Sequence, residues 1–459
     1  MTLAALVRSL RARELSPREA VSGCLVRIEE LDPALNAFIS VRAEEALAEA
    51  EALERTDARG PLHGVPVGIK DVIDVAGART TAASAILADN VAARDADAVA
   101  ALRRAGAVVV GKLNTHEFAF GATTTSPHFG PARNPWDTER ICGGSSGGSG
   151  AAVAAGLVPG ALGTDTGGSI RIPASFCGVT GLRPSTGRVS NRGVVPVAWS
   201  FDTVGPIARS AEDCALLLDA LAPGAASTRG LAGDAAGLRV GVVGALFEGG
   251  IDPDVAAVAR EAVRELAGAG AAVEEVEIPL LEEAGAIQQA MMLPEAAAAH
   301  LPWLRTRLED YGADVRTRLL AGLFLPPTTY VTGMRARRVF RAGLAEVLRD
   351  VDLLACPQMP VAPPRIGEDT VTIDGVEVPY RLSFIRFNSP WSLAGVPAVS
   401  VPCGFVRGLP VGLALVGRPF EEATVLQAAH AFQQVTSWHE QRPLLPPPSG
   451  SYSPAERGD

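Results

Sequence analysis

The stretch from Gly143 to Pro173 reads GGSSGGSGAAVAAGLVPGALGTDTGGSIRIP. It carries two serine–glycine clusters, Gly143-Gly144-Ser145-Ser146-Gly147-Gly148 and Thr166-Gly167-Gly168-Ser169, separated by an alanine-rich segment that predicts a short helix. Glycine at this density lets backbone amides approach a ligand closely and takes up φ angles that other residues avoid. A run of such amides can stabilise a negative oxygen, and serines beside it point to acyl chemistry. Continuation into Ile170-Arg171-Ile172-Pro173, with apolar segments on both sides, argues against a flexible Gly/Ser linker. No Gly-Lys-Ser/Thr ends either cluster, as a phosphate-cradling loop would require. Gly144-Ser145-Ser146-Gly147-Gly148 also fits a Gly-x-Ser-x-Gly nucleophile elbow, which would use Ser145 or Ser146 with a downstream Asp and one of His300, His430 or His439.

Outward from this stretch, the chain has 459 residues, 47% hydrophobic and 20% charged, the composition of a globular protein. Length alone suggests two or three domains. A formal charge of −10 argues against nucleic-acid or anionic-membrane partners. No run approaches twenty strongly apolar residues, so no membrane span is expected. The start, MTLAALVRSLRAREL, reads as a helix of the mature fold and not as a signal peptide. Six scattered cysteines without a CxxC pair predict neither disulfides nor zinc and fit a cytoplasmic location. Lysine occurs twice, at Lys70 and Lys112, against 39 arginines. Lysine can lose its proton when buried and arginine in practice cannot, so these two positions are candidates for a role arginine could not fill.

Local patterns predict an α/β protein. Ser16-Pro17-Arg18-Glu19 has capping-box spacing with proline at the first helical position. An Ala/Glu-rich helix follows over 43–53, then a short buried strand ending near Lys70, a helix over 95–105, and a strand over 107–110 leading to Lys112. That alternation is the α/β signature. Helices are also predicted over 211–221, 252–267 and 423–434, and strands over 238–243, 271–278, 352–356 and 398–401. Residues 285–350 read as helical with a break at Pro326-Pro327, and 223–233 as a connection suited to an insertion or boundary.

Three segments, Gly68-Ile69-Lys70-Asp71, Gly143 to Ser149, and Gly163 to Arg171, together resemble the amidase signature family of hydrolases. Lys70 lies 75 residues before Ser145, an interval like the family's, and Gly111 to Asn114, Asp202 to Pro206 and Gly408 to Leu413 extend the likeness over most of 60–440. The resemblance implies one large α/β/α domain with a mixed central sheet of about eleven strands, which displaces the length-based guess. The expected organisation is an N-terminal helical segment over 1–60 packed on the core, the signature domain over 61–442, and a Pro/Ser-rich tail over 443–459.

It also implies a Ser–cisSer–Lys triad. Ser169 is then the nucleophile, Ser145 the bridging serine with a cis peptide bond, and Lys70 the base. The amides of Thr166, Gly167, Gly168 and Ser169 form the oxyanion hole, and Ser146, Asp165 and Arg171 support the loop from behind. Neither metal nor cofactor is implied. His63 and His116 read as structural or pocket residues, and Lys112 as support. The expected activity is that of a free-standing amidase, monomer or homodimer, acting on small, largely apolar amides, with anilides and carbamates as the candidate substrates. The alternatives are the amidase subunit of a glutamine-dependent tRNA amidotransferase and the elbow hydrolase. Those subunits resemble Thr164 to Arg171 closely. They carry glutamine where this chain has Ile172, and an acidic residue in the region that here reads Ser383 to Trp391, which holds no acid. Arg337 matches a helix arginine found there.

Overall fold

The computed structural model describes residues 1–56, 60–231 and 234–445. Eleven strands form one sheet: β1 (Phe38–Val41), β2 (Pro66–Lys70), β3 (Val108–Leu113), β4 (Gly160–Asp165), β5 (Thr180–Arg183), β6 (Thr203–Ala208), β7 (Arg239–Val243), β8 (Ala272–Val276), β9 (Leu353–Pro357), β10 (Ala398–Val406) and β11 (Leu409–Gly417). Their order across the sheet is β1-β3-β2-β4-β6-β5-β10-β11-β9-β7-β8. β3, β2 and β4 run parallel, as do β9, β7 and β8, and the strands between are antiparallel. The sheet is therefore mixed, as expected.

Side chains alternate between two cores. Val108 and Val110 of β3 enter one apolar cluster and Val109 the other; Ala161 and Leu162 of β4 divide in the same way. A period of two with both faces buried requires helices on both sides of the sheet. The first core holds the Gly147–Ala154 helix and the Pro17–Leu35 helix, which starts with the Ser16–Glu19 capping box. The N-terminal segment is not wholly helical, because Phe38–Val41 pairs with β3 and forms one edge of the sheet. At the opposite edge β8 presents Glu274 and Glu275, charges that discourage further strand pairing.

The helical section expected near 285–350 consists of Ala284–Thr306, Ala313–Phe324 and Pro327–Asp350, with Pro326 as N-cap of the last. Several elements were not foreseen, among them β4, β11 and two that lie between β9 and β10 in the chain. A hairpin joins Thr370–Ile373 to Val376–Pro379, and a helix follows over Tyr380–Ala394. Tyr380, Phe384, Phe387 and Trp391 supply that helix with an apolar stripe at three- and four-residue spacing, and Pro390 in its interior obscures the pattern in sequence. The connection over 223–233 contains a helical turn at Ser227–Gly230, and its residues 232 and 233 lie outside the described residues. The same holds for the expected tail beyond residue 445. Among the described residues no helix is long and apolar enough to cross a membrane.

Candidate active site

Lys70 is the last residue of β2, beside the parallel strand β4. The C-terminal ends of parallel strands are where α/β folds place their sites. Val67 and Ile69 point into one core. Strand alternation turns Lys70 to the other face, toward Ser145. Its side chain is fully buried, with Nζ 2.7 Å from Ser145 Oγ and 2.8 Å from Thr164 Oγ1. Burial pushes the ammonium down to about 7, against the opposing pull of Asp165 and Asp202.

The Gly144–Ser145 peptide bond is cis. The Ser145 carbonyl accepts from His116 N–H (3.1 Å) and from Thr124 Oγ1 (3.1 Å). A Cβ on Gly144 would lie 2.5 Å from the Thr123 amide nitrogen, so this close approach admits only glycine. Ser146 is tied to β4: its hydroxyl donates to the Thr164 carbonyl and accepts from the Thr164 amide. Its own N–H donates to the Ser169 carbonyl (3.1 Å). The main chains of the two serine clusters are thereby clamped together.

Ser169 follows β4 across the loop Thr166-Gly167-Gly168. Of Lys70, Ser145 and Ser169 it alone reaches the surface, with 8% exposure against none for the other two, and Gly167 beside it is partly exposed. Gly168 has φ +117°, and a Cβ there would lie 2.4 Å from Asn388 Oδ1. Asp165 organises the loop from beneath. Its carboxylate accepts from the amides of Gly168 (2.8 Å) and Ile170 (3.1 Å), and pairs with Arg171 (3.0 Å) and Arg183 (3.3 Å). Burial works to raise the Asp165 pKa, but the two guanidiniums prevail and hold it well below the ordinary carboxylate range. Burial raises Asp202 to about 6 even though it accepts from Thr166 Oγ1 and the Val197 and Ala198 amides.

Over this strip lie side chains of the helical cover. Gln288 Nε2 donates to the Thr166 carbonyl (2.8 Å), and Ser389 Oγ donates to Gln288 Oε1 (2.5 Å). Asn388 accepts from Gln358 Nε2 and sits against Gly168. Ile172, directly after Arg171, packs with Phe176, Phe384, Tyr380 and Met359 in a separate apolar cluster.

The geometry brings Lys70, Ser145, Ser146, Thr164, Asp165, Ser169 and Arg171 together, and it places none of His300, His430 and His439 in a bond to Ser145 or Ser146, as the elbow alternative would need. The Ser145 hydroxyl bonds Lys70, and the Ser146 hydroxyl is spent on β4. His300 bonds the Tyr311 hydroxyl within an aromatic cluster, and His430 and His439 lie on the C-terminal helical segments. The Gly168 amide, expected as an oxyanion donor, is engaged by Asp165, which leaves Thr166, Gly167 and Ser169 as candidates. Lys112 is buried against Asp71, 2.9 Å away, and bonds Thr80 and the Arg79 carbonyl. Arg337 donates to the carbonyls of Leu393 and Ser200 and stacks on Phe201, holding the cover in place. Thr164 and Gln288 were missed as site residues. A signal for Gln288 exists, since it interrupts the apolar stripe of Ala284, Met291 and Met292.

A buried lysine amine bonded to a serine hydroxyl beside a glycine-rich loop is an arrangement suited to nucleophilic acyl chemistry. The chain belongs to the Amidase family, whose model matches residues 19–426. It is 41% identical to the A subunit of the glutamyl-tRNA(Gln) amidotransferase of Moorella thermoacetica, with 95% of this chain and 96% of that protein covered. A solved structure from an unexpected vestigial protein complex, one that reveals the evolutionary origins of an s-triazine catabolic enzyme, matches with TM-score 0.90 at 38% identity over 95% of this chain and 98% of that one. The corresponding amidotransferase polypeptide of Thermotoga maritima matches with TM-score 0.80 at 37% identity, over 95% and 94% respectively.

Proposed function

We propose that this chain is a free-standing amidase that hydrolyses small, largely apolar amides, anilides or aryl carbamates through Ser169, Ser145 and Lys70. The observation that carries the mechanism is the fully buried Lys70 amine, whose two bonded side-chain partners are hydroxyls. As a free amine, Lys70 takes the Ser145 proton while Ser145 takes that of Ser169. The Ser169 oxygen adds to the carbonyl carbon. The negative oxygen so formed is met by the amides of Thr166, Gly167 and Ser169, and each such donor is worth about 3–4 kcal/mol of transition-state stabilisation. As the C–N bond breaks, the proton held by Lys70 returns through Ser145 to the departing nitrogen, leaving an acyl-enzyme. Water then attacks it by the same relay. Asp165, Arg171 and Ser146 hold the loop and touch no substrate.

The choice of an apolar substrate rests on the residues around the strip. Ile172 and Phe384 are buried in an apolar cluster, and the side chains over Thr166 to Gly168 are the neutral Gln288, Asn388 and Ser389. Such a lining suits neutral organic ligands better than the charged α-amino and α-carboxyl groups of glutamine. The second reading, a component of an amidotransferase with protein partners, is favoured by the identity of about two residues in five with proteins of that name. Turnover of an anilide, an aryl carbamate and free glutamine by the purified chain separates the two. An anilide or carbamate preferred over glutamine supports the free-standing reading. Glutamine as best substrate, or activity that appears only with partner subunits and charged tRNA, overturns it.

A further inference from the structure

Three consecutive residues after β3 are each gripped by the helical cover. His116 Nε2 meets the Asp314 carboxylate (3.3 Å) in the first turn of the Ala313–Phe324 helix. Glu117 accepts from the Gly312 amide (2.8 Å) and from Ser84 Oγ (2.7 Å). Phe118 packs against His300, Trp303 and Tyr311. The other ring nitrogen of His116, Nδ1, lies 3.2 Å from Thr123 Oγ1. The ring is thus fixed on both sides, between the cover and the 123–125 loop. Its main-chain N–H is one of the two donors that hold the Ser145 carbonyl, and Thr124, next to Thr123, supplies the other. Nothing in the triad chemistry requires these groups.

We propose that His116 is a positioning residue that couples the seating of the helical cover to the placement of Ser145 between Lys70 and Ser169. The inference rests on the triad reading above. A neutral imidazole with the proton on Nε2 donates to Asp314 and accepts from Thr123, which matches the charges around it. Asp314 also takes Arg318 and Arg381 (2.7 Å), so its carboxylate is fixed from three sides. Burial pushes His116 below its ordinary value despite Asp314, so the ring stays neutral near pH 7 and its own titration does not enter the assay there. When the ring is released, the 116–124 loop loses one of its anchors, and the donors to the Ser145 carbonyl are held less firmly. Ser145 then samples positions from which the proton relay is broken. Misplacement by about 1 Å costs as much as a hundredfold in rate.

The test is the labelling of Ser169 by a fluorophosphonate, in which the serine oxygen bonds phosphorus and fluoride leaves. Its limiting rate reads chemistry and its half-saturating concentration reads binding. For His116→Leu and Asp314→Asn the limiting rate per folded molecule is expected to fall about tenfold to a hundredfold, with half-saturation within about threefold of wild type. The pH midpoint of labelling is expected to move up as water reaches Lys70. His116→Gln, which can still donate to Asp314, is expected to recover most of the rate. If Tm falls while the limiting rate and the midpoint stay at wild-type values, His116 only holds the fold together and the proposal is wrong. Asp314→Asn decides the matter should His116→Leu not fold. Lys70→Ala is the control for the underlying reading. If it labels like wild type, the triad itself fails; if it is inert while the His116 and Asp314 variants behave normally, only the coupling fails.

Discussion

Lys70→Arg tests the mechanism most sharply, because it keeps a long cationic side chain and removes the possibility of a free amine. In wild type, burial brings the Lys70 pKa from 10.5 down to about 7, so a substantial share of the molecules hold a neutral amine near pH 7. An exposed lysine would be neutral in roughly one molecule in three thousand at that pH. Arginine is protonated throughout. Base catalysis contributes about 10²–10⁴ in rate, so Lys70→Arg and Lys70→Met should both lose turnover on that scale. They should agree with each other to within about tenfold, or 1.4 kcal/mol. The pH dependence has a definite sign. A protonated Lys70 cannot accept from Ser145, so kcat/KM rises with pH, bends near 7 and is flat above it. Stability carries the same signature. Between 7 and 10.5 the unfolded chain binds the proton that folded Lys70 has lost, so wild-type stability rises with pH across that window relative to Lys70→Met. Turnover on an anilide from pH 5 to 10, with urea midpoints at the same pH values, measures both. Near-wild-type turnover in Lys70→Arg, or a flat profile through pH 7, would refute the free-amine base.

Four further outcomes are expected. Mass spectrometry after fluorophosphonate treatment should locate the adduct on Ser169, and an adduct on Ser145 or Ser146 alone would contradict the assignment. Gln288→Leu removes the bond to the Thr166 carbonyl and strands Ser389, and should lower kcat about tenfold while leaving KM within about threefold, as loss of a preorganised donor strip does. Asp165→Asn leaves Arg171 and Arg183 buried without a carboxylate and should destabilise by about 3–5 kcal/mol in urea titrations. Because the folded Asp165 carboxyl is held low, its contribution is present above the unfolded value near 3.9 and is lost as pH falls below it. Activity should survive EDTA, since among the described residues no group of three or more His, Cys, Asp or Glu could hold a metal ion.

Much of the fold was legible because its signals are local. The Ser16–Glu19 capping box starts the Pro17–Leu35 helix, and the Val108-Val109-Val110 run forms a strand buried on both faces. The Gly143 to Pro173 stretch was equally readable, because glycines that admit no Cβ and a conformation such as that of Gly168 leave a direct mark on composition. What failed was non-local. Phe38–Val41 is a strand only because the edge of β3 receives it, and four residues inside a helical region carry little pattern of their own. Gln288 lies more than a hundred residues beyond Ser169, and its polar group matters only once its helix folds over the loop. The commitment of the Gly168 amide to Asp165 was also out of reach, since sequence names the donors of a glycine loop without saying which are already spent.

The two lysines of this chain form an internal comparison. Both are fully buried, so desolvation lowers the pKa of each. Lys112 has the Asp71 carboxylate 2.9 Å away, an arrangement that supports an ammonium and ties β3 to the residue just past β2. The hydroxyls of Ser145 and Thr164 that bond Lys70 can accept from an amine or donate to one, and they carry no charge to hold a proton in place. The acids that pull on Lys70, Asp165 and Asp202, face competing claims. Asp165 is drawn to Arg171 and Arg183, and Asp202 is held by Thr166 Oγ1 and by the Val197 and Ala198 amides. Burial alone therefore does not make a base. The difference lies in where the carboxylates are spent. Substituting Asp165, which returns two unpaired guanidiniums to the neighbourhood, should lower the Lys70 pKa further and move the kcat/KM midpoint below 7. If the midpoint instead stays fixed in Asp165→Asn while turnover collapses, Asp165 acts on the loop geometry and not on the charge of the amine.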